Sequence, residues 1–355
     1  MDPLTHLLTG AALARTGFNR RAAYATVAMV LAADAPDLDT LWAVRGPLIS
    51  FEHHRGWTHS LVGVPVDALV ALAFVWLIHR WRVGRGKMPV APVRWGFLYG
   101  LCLLAACSHL LLDFTNSYGV RPFFPFDPRW FNAGLVFIFD PLIFGALLLA
   151  VVAPPLFALV SSEVGARRQV FRGRGWAVFA LLFMVGMWGL RAVEHAKAET
   201  IVRAQEDSAD PILRVSVNPY PVSPFRWQSV AETATAYRVA DVNTLNGSLS
   251  DAEMIYKPTT TLATLAAKRS ELGKIYLDWS TFPIVQDIGT GAPPEDAPVA
   301  GQLNTVVFGD LRFRYPTPIF GRAQTNPLGA TALVDQEHRV VDMRMSSVTG
   351  VGRKK

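Results

Sequence analysis

Long apolar runs dominate the first 195 positions of the chain and stop there. Four of them are long enough to cross a bilayer, which takes about 20 apolar residues of helix. Two shorter runs come first and would form helices only about 15–20 Å long. We therefore expect about six helices, of which the first two either cross a thinned membrane or form a re-entrant hairpin. The runs are 4–14, 22–33, 61–79, 95–113, 135–160 and 176–193.

The pattern changes near residue 200, where short runs of alternating apolar and polar residues replace the long apolar ones. Such alternation is typical of strands with one buried face, and turn signals such as Asn246-Gly247 separate the runs. The sequence thus predicts an α-helical polytopic membrane domain over 1–198 and a β-rich extracytoplasmic domain over 199–355. Within the second domain, strands are expected at 235–241, 274–279 and 306–315.

The 355 residues carry a formal net charge of +6, a balance that alone would suggest a nucleic-acid partner. All of the excess lies in the first 195 residues, however, where 12 of 17 basic side chains fall in three short loops between apolar runs. Basic loops stay in the cytoplasm, so both termini and the other loops are expected outside. The sequence therefore predicts a multi-pass protein of a bacterial inner membrane, surrounded by the lipid bilayer, and argues against nucleic acid as a partner.

Histidine and aspartate residues gather at the helix ends on the expected outer face. Imidazole and carboxylate groups together suit Zn²⁺, and also Mn²⁺ or Fe²⁺. His109 and Asp113 lie one helical turn apart, so one helix face presents both. A site for one or two divalent ions, with Zn²⁺ as the first choice, is expected there. Its candidate ligands are His6, Asp34, Asp37, His53, His54, His59, His109 and Asp113.

Within this set we expect Asp37, His59 and Asp39 to take part in catalysis. A carboxylate beside a metal can orient a ligating imidazole or act as a general base. His53, His54 and Asp39 are weaker choices as ligands than the others. The residues expected to support the ligands from outside are Asp140, Arg55 and Thr58.

The order of these residues resembles that of the YdjM-like, LexA-regulated inner-membrane proteins, a family of predicted metal-dependent hydrolases. The resemblance covers about residues 1–200 and implies a metal site more directly than a reaction. A weaker similarity is to zinc-dependent phospholipase C, which also orders a histidine, an aspartate, a histidine and His-x-x-x-Asp. The later histidine and His-x-x-x-Glu ligands of that family are not evident here, which argues against a three-zinc cluster. The matching motifs lie at 5–6, 34–39, 53–60, 108–119 and 139–141.

The function expected from these features is hydrolysis of an ester or phosphoester by a metal-activated water at the outer membrane interface. That position favours an amphipathic or lipid-like substrate. The alternative is a non-enzymatic membrane protein that binds metal as a scaffold or handles metal ions. A structural site is closed by protein ligands, whereas a catalytic site keeps a position for water.

Overall fold

The computed structural model describes residues 1–163, 173–205, 208, 210–291, 302–315 and 328–345. The chain divides into two compact units. The first unit consists of Met1–Leu41, His53–Glu194 and Pro219–Pro224, and the second of Trp42–Glu52, His195–Asn218 and Phe225–Lys355. Helices dominate the first unit and two antiparallel sheets the second, which confirms the predicted fold class.

Among the described residues, six α-helices of the first half follow the apolar runs of the sequence, whereas a 3-10 helix and one short α-helix lie outside those runs. In chain order they are α1 (Pro3–Arg15), α2 (Ala25–Asp34), a 3-10 helix (Ala35–Arg45), α3 (Pro47–His53), α4 (Val64–Val83), α5 (Trp95–Thr115), α6 (Pro141–Glu163) and α7 (Arg174–Arg203). Among the described residues, α4, α5 and α7 are long and apolar enough to cross a membrane. Helix α6 adds a shorter apolar piece over Pro141–Phe157.

Helices α1 and α2 pack closely because small residues line their contact. A Cβ atom at Gly10 would lie 2.5 Å from the carbonyl oxygen of Met29, so a larger residue cannot fit without displacing α2. The connection between α1 and α2 reaches the loop that joins α4 and α5, where the Ala23 amide donates to the Pro92 carbonyl (3.1 Å). The two short helices therefore extend to the same end of the helical unit as that loop.

Two antiparallel sheets build the second unit. The first contains β1 (Arg214–Pro219), β2 (Arg226–Glu232), β3 (Ala236–Asn243), β4 (Ser248–Leu249) and β5 (Glu253–Tyr256), with both β4 and β5 paired to β3. Two helices, α8 (Leu262–Arg269) and α9 (Glu271–Trp279), precede the second sheet. That sheet is a meander of β6 (Pro283–Gly291), β7 (Leu303–Asp310), β8 (Ala330–Val334) and β9 (Val340–Met345).

The strand expected at 274–279 is wrong, because these residues belong to α9. Ser270 begins this helix by accepting a hydrogen bond from the Gly273 amide (3.1 Å). Leu272, Tyr276 and Trp279 are buried at helical spacing, so one face of α9 packs into the core. A short alternating run fits a strand and one face of a helix equally well.

The other two expected strands are present. The run at 235–241 falls on β3, and the run at 306–315 begins in β7. Strand β7 ends at Asp310, whose side chain accepts from the Arg312 amide and begins a 3-10 helix (Leu311–Phe313). The turn expected at Asn246-Gly247 connects β3 to β4, and Gly247 adopts the left-handed conformation (φ 68°) that favours glycine.

Candidate metal centre

Two aspartates and two histidines of the first unit each contribute one ligand atom to a single group. The residues are Asp37, His59, His109 and Asp113, and the four atoms all lie within 4.8 Å of one another. Asp37 lies on the 3-10 helix after α2, His59 in the loop before α4, and the other two one turn apart on α5. Such a set of nitrogen and oxygen donors can hold a divalent ion.

Four separations within this group of four match those that one tetrahedral ion requires, and the separation of the two Nε2 atoms is shorter. The Nε2 atom of His59 is 3.4 Å from both Asp37 Oδ1 and Asp113 Oδ2. The Nε2 atom of His109 is 3.6 Å from the same two oxygens, and the two Nε2 atoms are 3.0 Å apart. Zinc bonds of roughly 2.0–2.2 Å at tetrahedral angles place ligand atoms about 3.3–3.6 Å apart.

Hydrogen bonds on the far side of each imidazole determine which nitrogen carries the proton. His109 Nδ1 lies 2.7 Å from the Ala33 carbonyl oxygen, which can only accept, so this nitrogen donates. His59 Nδ1 lies 3.1 Å from Asp39 Oδ2 and donates to that carboxylate. Both Nε2 atoms therefore direct lone pairs into the group. Two lone pairs at 3.0 Å repel each other unless a cation lies between them.

Asp39 supports the group of four through its contact with His59 Nδ1, the ring nitrogen that faces away from the group. Its carboxylate accepts hydrogen bonds from the Arg55 amide (2.8 Å) and the Thr58 hydroxyl (3.0 Å), and it lies 3.0 Å from His54 Nδ1. Burial alone would raise the pKa of Asp39, but the hydrogen bonds with His54 and His59 outweigh burial and hold the pKa far below its usual range. An anion at this position keeps His59 in the tautomer that a metal ion needs.

Asp37 is the member of the group that solvent reaches. Its side chain is 15% exposed, whereas those of His59, His109 and Asp113 are fully buried. Burial raises the pKa of Asp37, but its interactions with His59, His109 and Arg55 outweigh burial and hold the pKa well below its usual range. The carboxylate is therefore ionised near neutral pH on the open side of the group.

Arg55 places a buried guanidinium beside Asp113. Its Nη2 atom is 2.9 Å from Asp113 Oδ2, and its Nη1 atom donates to the Gly119 carbonyl (2.7 Å). Its Cζ atom lies 4.5 Å from the centre of the Tyr118 ring, in the geometry of a cation–π contact. These contacts offset the negative charge of Asp113 and fix its position. No local pattern in the sequence assigns Tyr118 this role.

His6 lies against the group of four without joining it. Its ring stacks on that of His109 with 3.7 Å between the ring centres, and its Nε2 atom is 3.4 Å from Asp113 Oδ1. The Met1 amino nitrogen contacts the same oxygen and lies 3.0 Å from His6 Nε2. Among the described residues, His6 Nδ1 has no hydrogen-bond partner. In this structure His6 positions two of the four residues, and its role as a ligand stays a prediction.

The other predicted ligands lie outside the group of four. Asp34 is the last residue of α2 and His53 the last residue of α3, and neither contributes an atom to the group. His54 contacts Asp39 instead, as Thr58 does. The metal-binding roles assigned to these residues, and the catalytic role assigned to Asp39, stay predictions.

Asp140 makes a different set of contacts from those of the ligands. Its Oδ1 atom begins α6 by accepting from the Leu142 and Ile143 amides (3.0 and 3.1 Å). Its Oδ2 atom accepts from Arg191 Nη2 at 2.6 Å, and both side chains are fully buried. Arg191 is absent from the predicted site residues, although a lone cation in the apolar run 176–193 indicates a buried partner.

The fold and the group of four together define a membrane protein with a candidate metal centre in its helical unit. The sequence profile of the YdjM inner membrane protein family matches residues 1–198, so the chain belongs to this family and the resemblance is confirmed. All four residues of the group lie within the matched segment.

One curated relative shows how far this similarity extends. The chain is 31% identical over 144 residues to the uncharacterized protein YfhP of Bacillus subtilis (strain 168). The alignment covers 38% of this chain and 41% of the relative, so the chain matches less than half of that protein's length. No solved structure matches the chain significantly. The comparisons therefore support the family and the membrane location, and they assign no reaction.

Proposed function

We propose that this protein is a metal-dependent hydrolase that cleaves an ester or phosphoester at the outer face of the inner membrane. The proposal rests above all on two buried imidazoles whose lone pairs converge at 3.0 Å beside two carboxylates. Membership in an inner membrane family and the three helices fit to cross a membrane support the location. The basic loops of the sequence support an outward-facing site.

Each residue of the group has a distinct part in this proposal. His59 Nε2, His109 Nε2, Asp37 Oδ1 and Asp113 Oδ2 hold the divalent ion, with Zn²⁺ as the first choice and Mn²⁺ or Fe²⁺ next. When bound, such an ion supplies Lewis-acid activation of water and of the bond to be cleaved. Asp37, on the open side, would orient the attacking water by accepting a hydrogen bond from it at Oδ2.

The substrate in this proposal is amphipathic or lipid-like. Trp57 and Leu61, which flank His59, are exposed, and so are Leu38 and Leu41, which flank Asp39. Exposed apolar side chains on both segments that supply the site suit a substrate with an apolar portion better than a fully polar one. A substrate of this kind reaches the site from the surface of the bilayer.

A second candidate function is a structural or metal-handling site. The group offers four protein ligand atoms, and four protein ligands are typical of structural zinc sites. Hydrolysis at such a site requires a fifth position or release of Asp37, the exposed member. The two functions therefore differ in whether the metal-loaded protein turns over a substrate.

A hydrolysis panel separates the two functions. The full chain, purified in detergent and loaded with zinc, is tested on a chromogenic phosphodiester, a chromogenic carboxyl ester and phospholipid mixed micelles. We expect turnover of at least one of them, its loss on chelation, and a decrease of about a hundredfold in Asp37→Asn.

The matched control is Asp251→Asn, which alters an exposed aspartate of the second unit and is expected to leave turnover unchanged. A chain that binds zinc and cleaves none of the three substrates contradicts the hydrolase proposal and supports the second candidate.

A further inference from the structure

Helix α6 carries two adjacent prolines that interrupt its hydrogen bonding. Pro154 and Pro155 lie inside the helix and have no amide hydrogen. In a regular helix the amides at these positions would bond to the carbonyls four residues earlier, those of Ala150 and Val151. Both carbonyl oxygens therefore lack their helical donors, and this is costly in a segment as apolar as Pro141–Phe157.

Arg15 donates to both of these carbonyls. Its Nη1 atom lies 3.1 Å from the oxygen of Ala150 and 2.6 Å from the oxygen of Val151. Arg15 is the last residue of α1, so the donors that α6 lacks come from a helix about 135 positions earlier in the chain. The two carbonyls that receive the arginine are the two that the prolines leave without donors.

This contact ends a continuous interface between α1 and α6. Leu8 and Ala12 of α1 pack in one cluster with Ile143, Leu147 and Ala150 of α6. Positions 8, 12 and 15 share one face of α1, and positions 143, 147 and 150 share one face of α6. The arginine is therefore the polar end of an otherwise apolar stripe.

The opposite end of α1 carries His6, whose ring stacks on that of His109 at 3.7 Å. We propose that Arg15 replaces the two donors that α6 lacks at Pro154 and Pro155, and that this bond holds α1 where it presents His6 to the group of four. The first part stands on the hydrogen bonds alone. The second part rests on the function proposed above, since it assumes that the group binds a metal ion.

A double-mutant cycle tests the first part. Arg15→Ala is made in the native chain and in a chain with Pro154→Ala and Pro155→Ala, where α6 regains its amide donors. Thermal unfolding of the full chain in detergent is the measurement. We expect the melting temperature to fall by about 5 °C in the native background and by less than about 1 °C in the alanine background.

Arg21→Ala is the control for lost charge, because Arg21 is an exposed arginine of the same loop. We expect it to leave the melting temperature unchanged in both backgrounds. Equal losses from Arg15→Ala in the two backgrounds would overturn the first part, as would an equal loss from Arg21→Ala.

Zinc retention during dialysis, measured on the same proteins, tests the second part. We expect Arg15→Ala to retain zinc about tenfold less well than the native chain. In the alanine background, where the amides of α6 already occupy these carbonyls, Arg15→Ala should cause no further decrease. Unchanged retention in Arg15→Ala overturns the second part. If the native chain retains no zinc, the proposed metal site fails, and the melting cycle still decides the role of Arg15.

Discussion

Each unit buries a carboxylate, and the two carboxylates differ in how fully protein donors satisfy their oxygens. In the second unit, Asp310 accepts hydrogen bonds from the Ser280 hydroxyl (2.7 Å), the Thr281 amide (3.0 Å) and Arg312 Nη2 (2.8 Å). In the helical unit, Asp113 Oδ2 lies 2.9 Å from Arg55 Nη2, yet accepts no hydrogen bond of good geometry among the described residues. It faces the Nε2 lone pairs of the two histidines instead.

This difference distinguishes a buried ion pair, which is complete within the protein, from a site that can bind a metal ion. The partners of Asp310 supply enough donors for its negative charge, so the carboxylate needs nothing from outside the protein. Asp113 belongs to a group with two carboxylates and two imidazole lone pairs, and Arg55 and the Met1 amino group contact its carboxylate. A divalent cation would remove the repulsion among these atoms, which is the physical reason to treat the group as a metal site.

His109→Ala should cause the largest loss of zinc affinity in the helical unit. Losing an imidazole that the Ala33 carbonyl orients should lower the zinc affinity by about a thousandfold, measured by competition with a chelator. His338→Ala is the matched control, because this exposed histidine lies in the second unit and should leave the affinity unchanged. Native affinity in His109→Ala would remove this residue from the site.

Asp310→Asn should destabilise the second unit and leave the zinc affinity of the helical unit unchanged. The change leaves the buried guanidinium of Arg312 without its anion and should lower the free energy of unfolding of the second unit by about 3 kcal/mol. Chemical denaturation followed by tryptophan fluorescence measures this loss. Zinc affinity in the folded variant should equal that of the native chain, and a decrease would show that the two units do not divide these roles.

Asp39→Asn should lower the zinc affinity less than His109→Ala does. It removes the anion behind His59 without removing any of the four ligand atoms, so the zinc affinity should fall about 10–100-fold. Asp251→Asn provides the exposed aspartate control for this change as well. A loss as large as that of His109→Ala would indicate that Asp39 binds the ion directly, and no loss would exclude a supporting role.

Hydrophobic patterning was sufficient to predict helices α1, α2 and α4–α7, and to place His109 and Asp113 together on one helix face. Apolar runs of bilayer length are a strong local signal, and the spacing of His109 and Asp113 needs nothing beyond one helix. The predicted ligand set also contained all four members of the group. It also contained residues outside the group, such as Asp34 and His53. Asp34 lies in the same segment as Asp37, and His53 lies in the same segment as His59, so the sequence does not distinguish between these neighbours.

Choosing among those neighbours depends on contacts that local patterns do not encode. Asp37 lies on a 3-10 helix, and His59 is oriented by Asp39 of the same helix, twenty positions earlier. The bond from Arg15 to α6 joins residues far apart in the chain. The error at α9 has the opposite cause, since six residues of alternation are too few to distinguish a strand from a helix face.

X-ray absorption spectroscopy of the zinc-loaded full chain tests whether the group of four binds a metal ion. We expect one tightly held ion with four nitrogen or oxygen ligands at about 2.0–2.2 Å. We also expect the multiple-scattering signal of two imidazoles, with one lost in His109→Ala. A chain that retains no zinc, or an ion bound without imidazole, would show that the group is not a metal site.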